Sequence, residues 1–374
     1  MSSSPSTPSM APASPSTSMM DLVTATSMMD LVTAPANAEG QWAVALQSGV
    51  AGRYALKSQV VYSGLASTIF LGVDRSSRLQ VGVKVIMKDR INEEELRLAA
   101  AEMRIHSSLE SHPNIIPLLV AEETPRAMLL VTPYTPFGDL WELLKYGQTY
   151  CESEVRNCAA QILAALAHIH DVGDIIHGDI KPHNFLLFRV QGDSGDSRHM
   201  VQLCDFGLAS YPDRPRGLTH FRGLRGTSGW FAPEMLAQAD YGHAVDIFGA
   251  GLILFRMLGG YAPFDPPSCM RQPASFDERY WCHTTPECRA LLARLLSLDP
   301  VDRGTALQCS REEWFEHPLP PPTPEQLQEL ALSGPPPATN VFFWHVRSLP
   351  PKSKCDSYAQ FEVLVEDSED MDEG

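Results

Sequence analysis

No lysine or arginine occurs before Arg53. A signal peptide opens on basic residues and a mitochondrial presequence is rich in arginine, so neither is expected here. Long apolar runs are also missing. The best stretch, residues 247–258, is interrupted by Arg256 and is too short to cross a bilayer, so no membrane partner is expected. The eight cysteines, at 151, 158, 204, 269, 282, 288, 309 and 355, show no paired spacing. Cys282, His283 and Cys288 form the one cluster, and a zinc site needs a closer second pair. Scattered reduced thiols point to a cytoplasmic or nuclear protein. Positive charge is scarce: the chain carries a net −16, and its final stretch, 318–374, holds ten acidic side chains against three basic ones. A general nucleic-acid binder would carry a basic footprint, so none is expected.

What is present divides into three parts. Residues 1–52 are rich in Ser, Thr, Pro and Met and contain a tandem nonapeptide, SMMDLVTAT followed by SMMDLVTAP. Two short copies cannot stack into a solenoid, so the segment reads as disordered, with MMDLV units that can serve as docking motifs. Residues 319–374 open on PPPTPEQ and end in EDSEDMDEG, a second flexible tail in which VFFWHV is apolar enough to dock. Between them lies a segment with the composition of a packed domain, 53–318.

Within that domain, residues 53–85 alternate and are rich in Val, Ile, Tyr and Leu with glycine punctuation, which predicts strands. Residues 92–109 show helical spacing through Leu96, Ala99, Ala100 and Met103. Helices are predicted again over 140–146 and 152–170, the latter with Ile162, Leu163, Leu166 and Ile169 on one face. Strands followed by helices predict an α+β, two-lobe architecture.

The stretch IIHGDIKPHNFLLF, 175–188, sets His177, Asp179, Lys181, His183 and Asn184 between two apolar arms. Burying unpaired charge is costly, so a site must hold these groups. With VGVK ending at Lys84, Glu102 in the next helix, Asp205-Phe206-Gly207, Ala232-Pro233-Glu234, Asp246 and Arg303, the chain resembles the eukaryotic protein kinase family, serine/threonine type, over 53–318. The resemblance implies ATP and Mg2+ as cofactors and protein substrates as partners. It implies Asp179 as proton acceptor, Lys181 as charge neutraliser, and Asn184 and Asp205 as magnesium ligands. It further implies Gly64, Ile69, Val83, Lys84, Glu102, Thr132, Pro133, Thr135 and Asp139 as the ATP-binding positions. Glu93, Glu94 and Glu95 compete with Glu102 on the same helix, and the spacing to His112-Pro113-Asn114 favours Glu102.

The chain departs from the family pattern in three places. Gly64 is the only glycine of the expected glycine-rich loop, with Tyr62 and Ser67 at the flanking glycine positions. Gly178 stands where many family members carry the arginine that captures an activation-segment phosphate, and residues 220–226 contain no Ser or Thr. Instead the segment carries Arg214, Arg216, Arg222 and Arg225, which predicts activity without activation-loop phosphorylation. Against the arginine-preferring, cyclic-AMP-dependent type of kinase, two of three acidic peptide contacts are replaced, by His183 and Arg256; only Asp139 remains. Cys204 falls at a position that lines the nucleotide pocket in the family; it is either a reachable thiol or an inert buried one. Two alternatives share parts of the pattern. A small-molecule phosphotransferase fits HGD with its later Asn and Asp but not Lys181, Thr227 or Ala-Pro-Glu. A pseudokinase scaffold fits the poor glycine loop and long tails but not the intact acidic and basic site residues.

Overall fold

A computed structural model describes residues 52–64, 66–144, 149–191, 197–213, 225–264, 272–316 and 346–347. The nonapeptide tandem, Arg214, Arg216, Arg222 and nearly all of the acidic tail lie outside the described residues. The chain forms two compact units, the first reaching Asn92 and adding Val120–Val131, the second made of Glu93–Leu119 and the chain from Thr132 onward.

The first unit is a sheet. Its strands are β1 (Tyr54–Ser63), β2 (Ser67–Asp74), β3 (Gln80–Met87), β4 (Val120–Glu123) and β5 (Ala127–Pro133), ordered β1-β2-β3-β5-β4. The pairs β1–β2, β2–β3 and β4–β5 are antiparallel. Period-two alternation sends Val81, Val83, Val85 and Met87 of β3 to one face, where they pack with Phe70, Leu129 and Val131. Lys84 therefore projects to the other face, directly opposite Ile69 across the β2–β3 ladder.

The second unit is mainly helical. Helix α1 (Glu93–Ser108) opens with Glu93, Glu94 and Glu95, whose charges suit the positive end of the helix dipole. Its buried residues are Ala99, Glu102, Ile105 and His106 rather than the apolar stripe through Leu96 and Met103. The inward face is thus half polar, which hides it from a hydrophobic count. Then come α2 (Trp141–Leu144), β6 (Thr149–Tyr150) and α3 (Glu152–Ala167). Residues 145 and 146 of the longer helix expected at 140–146 lie outside the described residues.

The α-helical winding expected to His170 gives way at His168 to a wider π turn, His168–Val172, which brings both Ile169 and His170 into the interior. Strands β7 (Phe185–Gln191) and β8 (Ser197–Leu203) form an antiparallel ribbon in which Phe185 pairs with Leu203, so Asn184 and Cys204-Asp205 emerge together at the same end. After α4 (Pro233–Leu236) runs α5 (Ala244–Gly259), buried almost all round. Among the described residues no helix is long and apolar enough to cross a membrane. Gly249 lets α5 approach the 177–184 loop closely: a Cβ there would fall 2.8 Å from both Cβ and the carbonyl oxygen of Ile180. Val346–Arg347, as β9, pairs antiparallel with β6.

Candidate active site

Asp246, fully buried in α5, organises the polar loop. Its Oδ2 accepts the His177 amide at 2.8 Å and lies 2.9 Å from His170 Nε2, while its Oδ1 accepts the Gly178 amide at 2.9 Å. Burial pushes the Asp246 carboxyl up, but the His170 hydrogen bond, the nearby His177 and its amide outweigh this and hold it below the ordinary carboxylate range. Gly178 adopts φ +76, with its would-be Cβ 3.4 Å from the Leu208 carbonyl, a conformation that favours glycine at this position.

The loop so anchored, together with Thr227, brings three donors to one carboxylate. Lys181 Nζ donates to Asp179 Oδ2 and to Thr227 Oγ1, each at 2.6 Å. Thr227 Oγ1 donates to Asp179 Oδ1 at 2.9 Å. Asn184 Nδ2 donates to the Asp179 carbonyl at 2.8 Å and reaches Oδ2 at 3.3 Å. Asp179 is nearly buried, so these charge-assisted bonds hold its carboxylate in one orientation.

The Cys204 amide donates to the Asn184 carbonyl at 2.8 Å, which sets Asp205 beside Asn184. Asp205 takes φ +61, a left-handed backbone that a non-glycine residue adopts at an energetic cost, here at the proposed metal-binding position. Phe206 is fully buried between His106, with ring centroids 4.9 Å apart, and His177, at 5.3 Å. A Cβ on Gly207 would lie 3.5 Å from Glu102 Oε2, so Glu102 sits against the triplet. Glu102 is buried, whereas Glu93 and Glu94 are exposed and Glu95 is half-buried, which separates the competing acids of α1.

The donor set fits magnesium. Because the Asn184 amide nitrogen is committed to Asp179, its carbonyl oxygen is the atom left to face a cation beside the Asp205 carboxylate. Two hard oxygens are few, as expected for an ion that draws its other ligands from phosphate and water. Among the described residues no group of three or more His, Cys, Asp or Glu side chains gathers as a self-contained metal site; Cys282, His283 and Cys288 do not form one.

Other expected positions fall as follows. Ile69 and Lys84 are half-buried and face each other on β2 and β3. Val83 is fully buried in the apolar core, on the sheet face opposite Lys84. Gly82, which the sequence reading passed over, shares the Lys84 face by alternation. The Tyr62 ring lies over Gly64, where a Cβ would meet its Cε1 and Oη at 3.1 Å. Thr132 and Pro133 are half-buried at the end of β5. Thr135 is buried, with its hydroxyl donating to the Leu187 carbonyl. Asp139 Oδ1 accepts the Trp141 and Glu142 amides at 2.9 and 3.3 Å and so caps α2. The His170 and Thr227 contacts lie far apart in sequence, and no local spacing marks them as partners of Asp246 and Asp179.

Comparison with known proteins agrees with this geometry. A family model described as the protein kinase domain matches residues 57–315. Serine/threonine-protein kinase DCLK3 of Homo sapiens is 32% identical over 251 residues, covering 65% of this chain and 37% of that protein. Calcium/calmodulin-dependent protein kinase type 1B of Homo sapiens is 30% identical over 260 residues, covering 68% of this chain and 72% of that protein. The chain thus spans little more than a third of the length of the first relative but most of the second. With the matched domain extending over more than half of its length, the chain belongs to the protein kinase family.

Proposed function

We propose that the protein is an active serine/threonine kinase that transfers the γ-phosphoryl group of ATP to protein hydroxyls. The observation that carries this reading is the closed set of bonds among Asp179, Lys181 and Thr227. Three donors orient the Asp179 carboxylate, which accepts the proton of an incoming serine or threonine hydroxyl as its oxygen attacks the γ-phosphorus. The bond to the bridging oxygen breaks and ADP leaves. The Lys181 ammonium, fixed by Asp179 and Thr227, offsets negative charge gathering on the transferred group. Magnesium on Asn184 and Asp205 would neutralise phosphate charge. By resemblance Lys84 holds the α- and β-phosphates and Glu102 pairs with Lys84. Protein substrates, docking through the tails and a cytoplasmic or nuclear location belong to the same proposal, the last on cysteine usage alone.

The test is ATP-dependent phosphorylation of a protein mixture, with phosphoamino-acid analysis, beside an Asp179→Asn control. Wild-type product on serine and threonine, reduced by orders of magnitude in the control, supports the reading. A wild type no faster than the control would leave the scaffold alternative, which the Tyr62 ring over Gly64 favours as an obstacle to close phosphate approach. Activity is proposed to be independent of activation-segment phosphate. Phosphatase-stripped enzyme should retain full turnover, and loss of activity on stripping would overturn that part.

A further inference from the structure

We propose that Arg225 is a positioning residue that clamps helix α1 to the loop bearing Thr227 through an ion pair with Glu94. This rests on the phosphotransfer reading above. The Arg225 guanidinium donates to the Glu94 carboxylate, and the two are separated by 131 residues in sequence. Arg225 lies two residues before Thr227, whose hydroxyl bonds both Asp179 and Lys181. Glu94 stands in the first turn of α1, the helix whose inner face carries Glu102 against Gly207 and His106 against Phe206. The helix is therefore held at two places. Its middle rests on the Asp205 triplet, and its first turn is tied to the segment that completes the Asp179 site.

Glu94 is 66% exposed and Arg225 21%, so the pair adds little to global stability. Its effect is to bias where two otherwise separate segments sit. A fixed guanidinium–carboxylate contact does this without added phosphate, which accords with Gly178 and with the lack of Ser and Thr over 220–226.

The experiment compares wild type, Arg225→Glu, Glu94→Arg and the double charge swap by hydrogen exchange and by steady-state kinetics. Either single reversal should speed amide exchange in the first turns of α1 and around 225–228. It should also lower kcat about two- to fivefold, the size expected of one partly exposed pair, with a smaller change in the peptide KM. The swap should restore both readouts, and raised salt should shrink the gap between wild type and the single variants. If the reversals fail to fold, Arg225→Gln against Arg225→Lys replaces them, with only the lysine variant expected to keep wild-type exchange. Unchanged exchange in the single variants, or a swap no better than either, overturns the clamp. Exchange restored by the swap, with a wild type that shows no turnover, supports the clamp and defeats the kinase reading instead.

Discussion

Arg303 is wholly buried and grips Glu234 with both terminal nitrogens, Nη1 to Oε1 at 2.6 Å and Nη2 to Oε2 at 2.8 Å. The same guanidinium donates to the Ala244 and Ser297 carbonyls at 2.9 and 2.8 Å and lies 4.8 Å over the Phe248 ring. Removing one partner of a buried pair strands the other charge. Arg303→Ala should therefore lose about 3–5 kcal/mol of unfolding free energy, read as a lowered urea midpoint. A loss no larger than that of an ordinary surface substitution would refute the clamp assigned to this pair.

Acid should weaken the fold through Asp246. Its native carboxyl is held below the ordinary range, so the unfolded chain takes up a proton first as pH falls. The stability that it contributes is complete above the ordinary carboxylate pKa of about 3.9 and is lost as pH falls toward the lower native value. Urea midpoints measured from pH 5 to pH 3 should fall in the wild type and fall less steeply in Asp246→Asn. Equal slopes would show that Asp246 does not contribute to this acid sensitivity.

Alkylation should rank the thiols by environment. Burial pushes Cys158 up to about 12 and Cys309 up to about 11, leaving little thiolate at neutral pH. Cys282 is exposed and Cys204, next to Asp205, is half-buried. Among the described cysteines, iodoacetamide at pH 7.5 followed by peptide mass spectrometry should mark Cys282 first and the buried Cys158 and Cys288 last. ATP with magnesium should slow labelling of Cys204; equal labelling with and without nucleotide would make that thiol an inert packing group.

Peptide choice should disfavour arginine upstream of the acceptor. The Arg256 guanidinium stacks over the Trp230 ring at 4.3 Å, and the Trp230 amide donates to the Thr227 carbonyl at 3.1 Å, which places this cation close to the Asp179 site. His183 stacks on Trp141 with centroids 4.9 Å apart, and burial together with Lys181 lowers its basicity. A peptide array should show acidic or neutral peptides turned over faster than arginine-rich ones, with Arg256→Glu narrowing the gap. Selection for arginine two or three residues before the target in the wild type would refute this.

The loop residues Asp179, Lys181 and Asn184 were legible because they lie within one short motif with apolar flanks, and Arg303 and Glu234 because each occupies a family position. The face of α1 was less legible. A count of apolar residues points to Leu96 and Met103, whereas the buried positions include Glu102 and His106, polar groups held for contact with the Asp205 triplet. Val83 turns away from Lys84 because the pleat sends adjacent strand residues to opposite faces, which a motif read as a string does not display. The His170–Asp246 and Arg225–Glu94 contacts span 76 and 131 residues, and only tertiary packing brings such partners together.

Gly249 sets helix propensity against packing. In an exposed helix interior, exchanging glycine for alanine gains about 1 kcal/mol, so a stabilisation scheme that scores helices by propensity would choose this site early. The added methyl would press on the Cβ and main-chain carbonyl of Ile180, the residue after Asp179, and shift Asp179 from its three donors. Overpacking a buried helix contact costs more than the propensity gain, so libraries screened for heat resistance should reject alanine at this position. Selection for stability and selection for turnover should both keep the weaker helix former at this position.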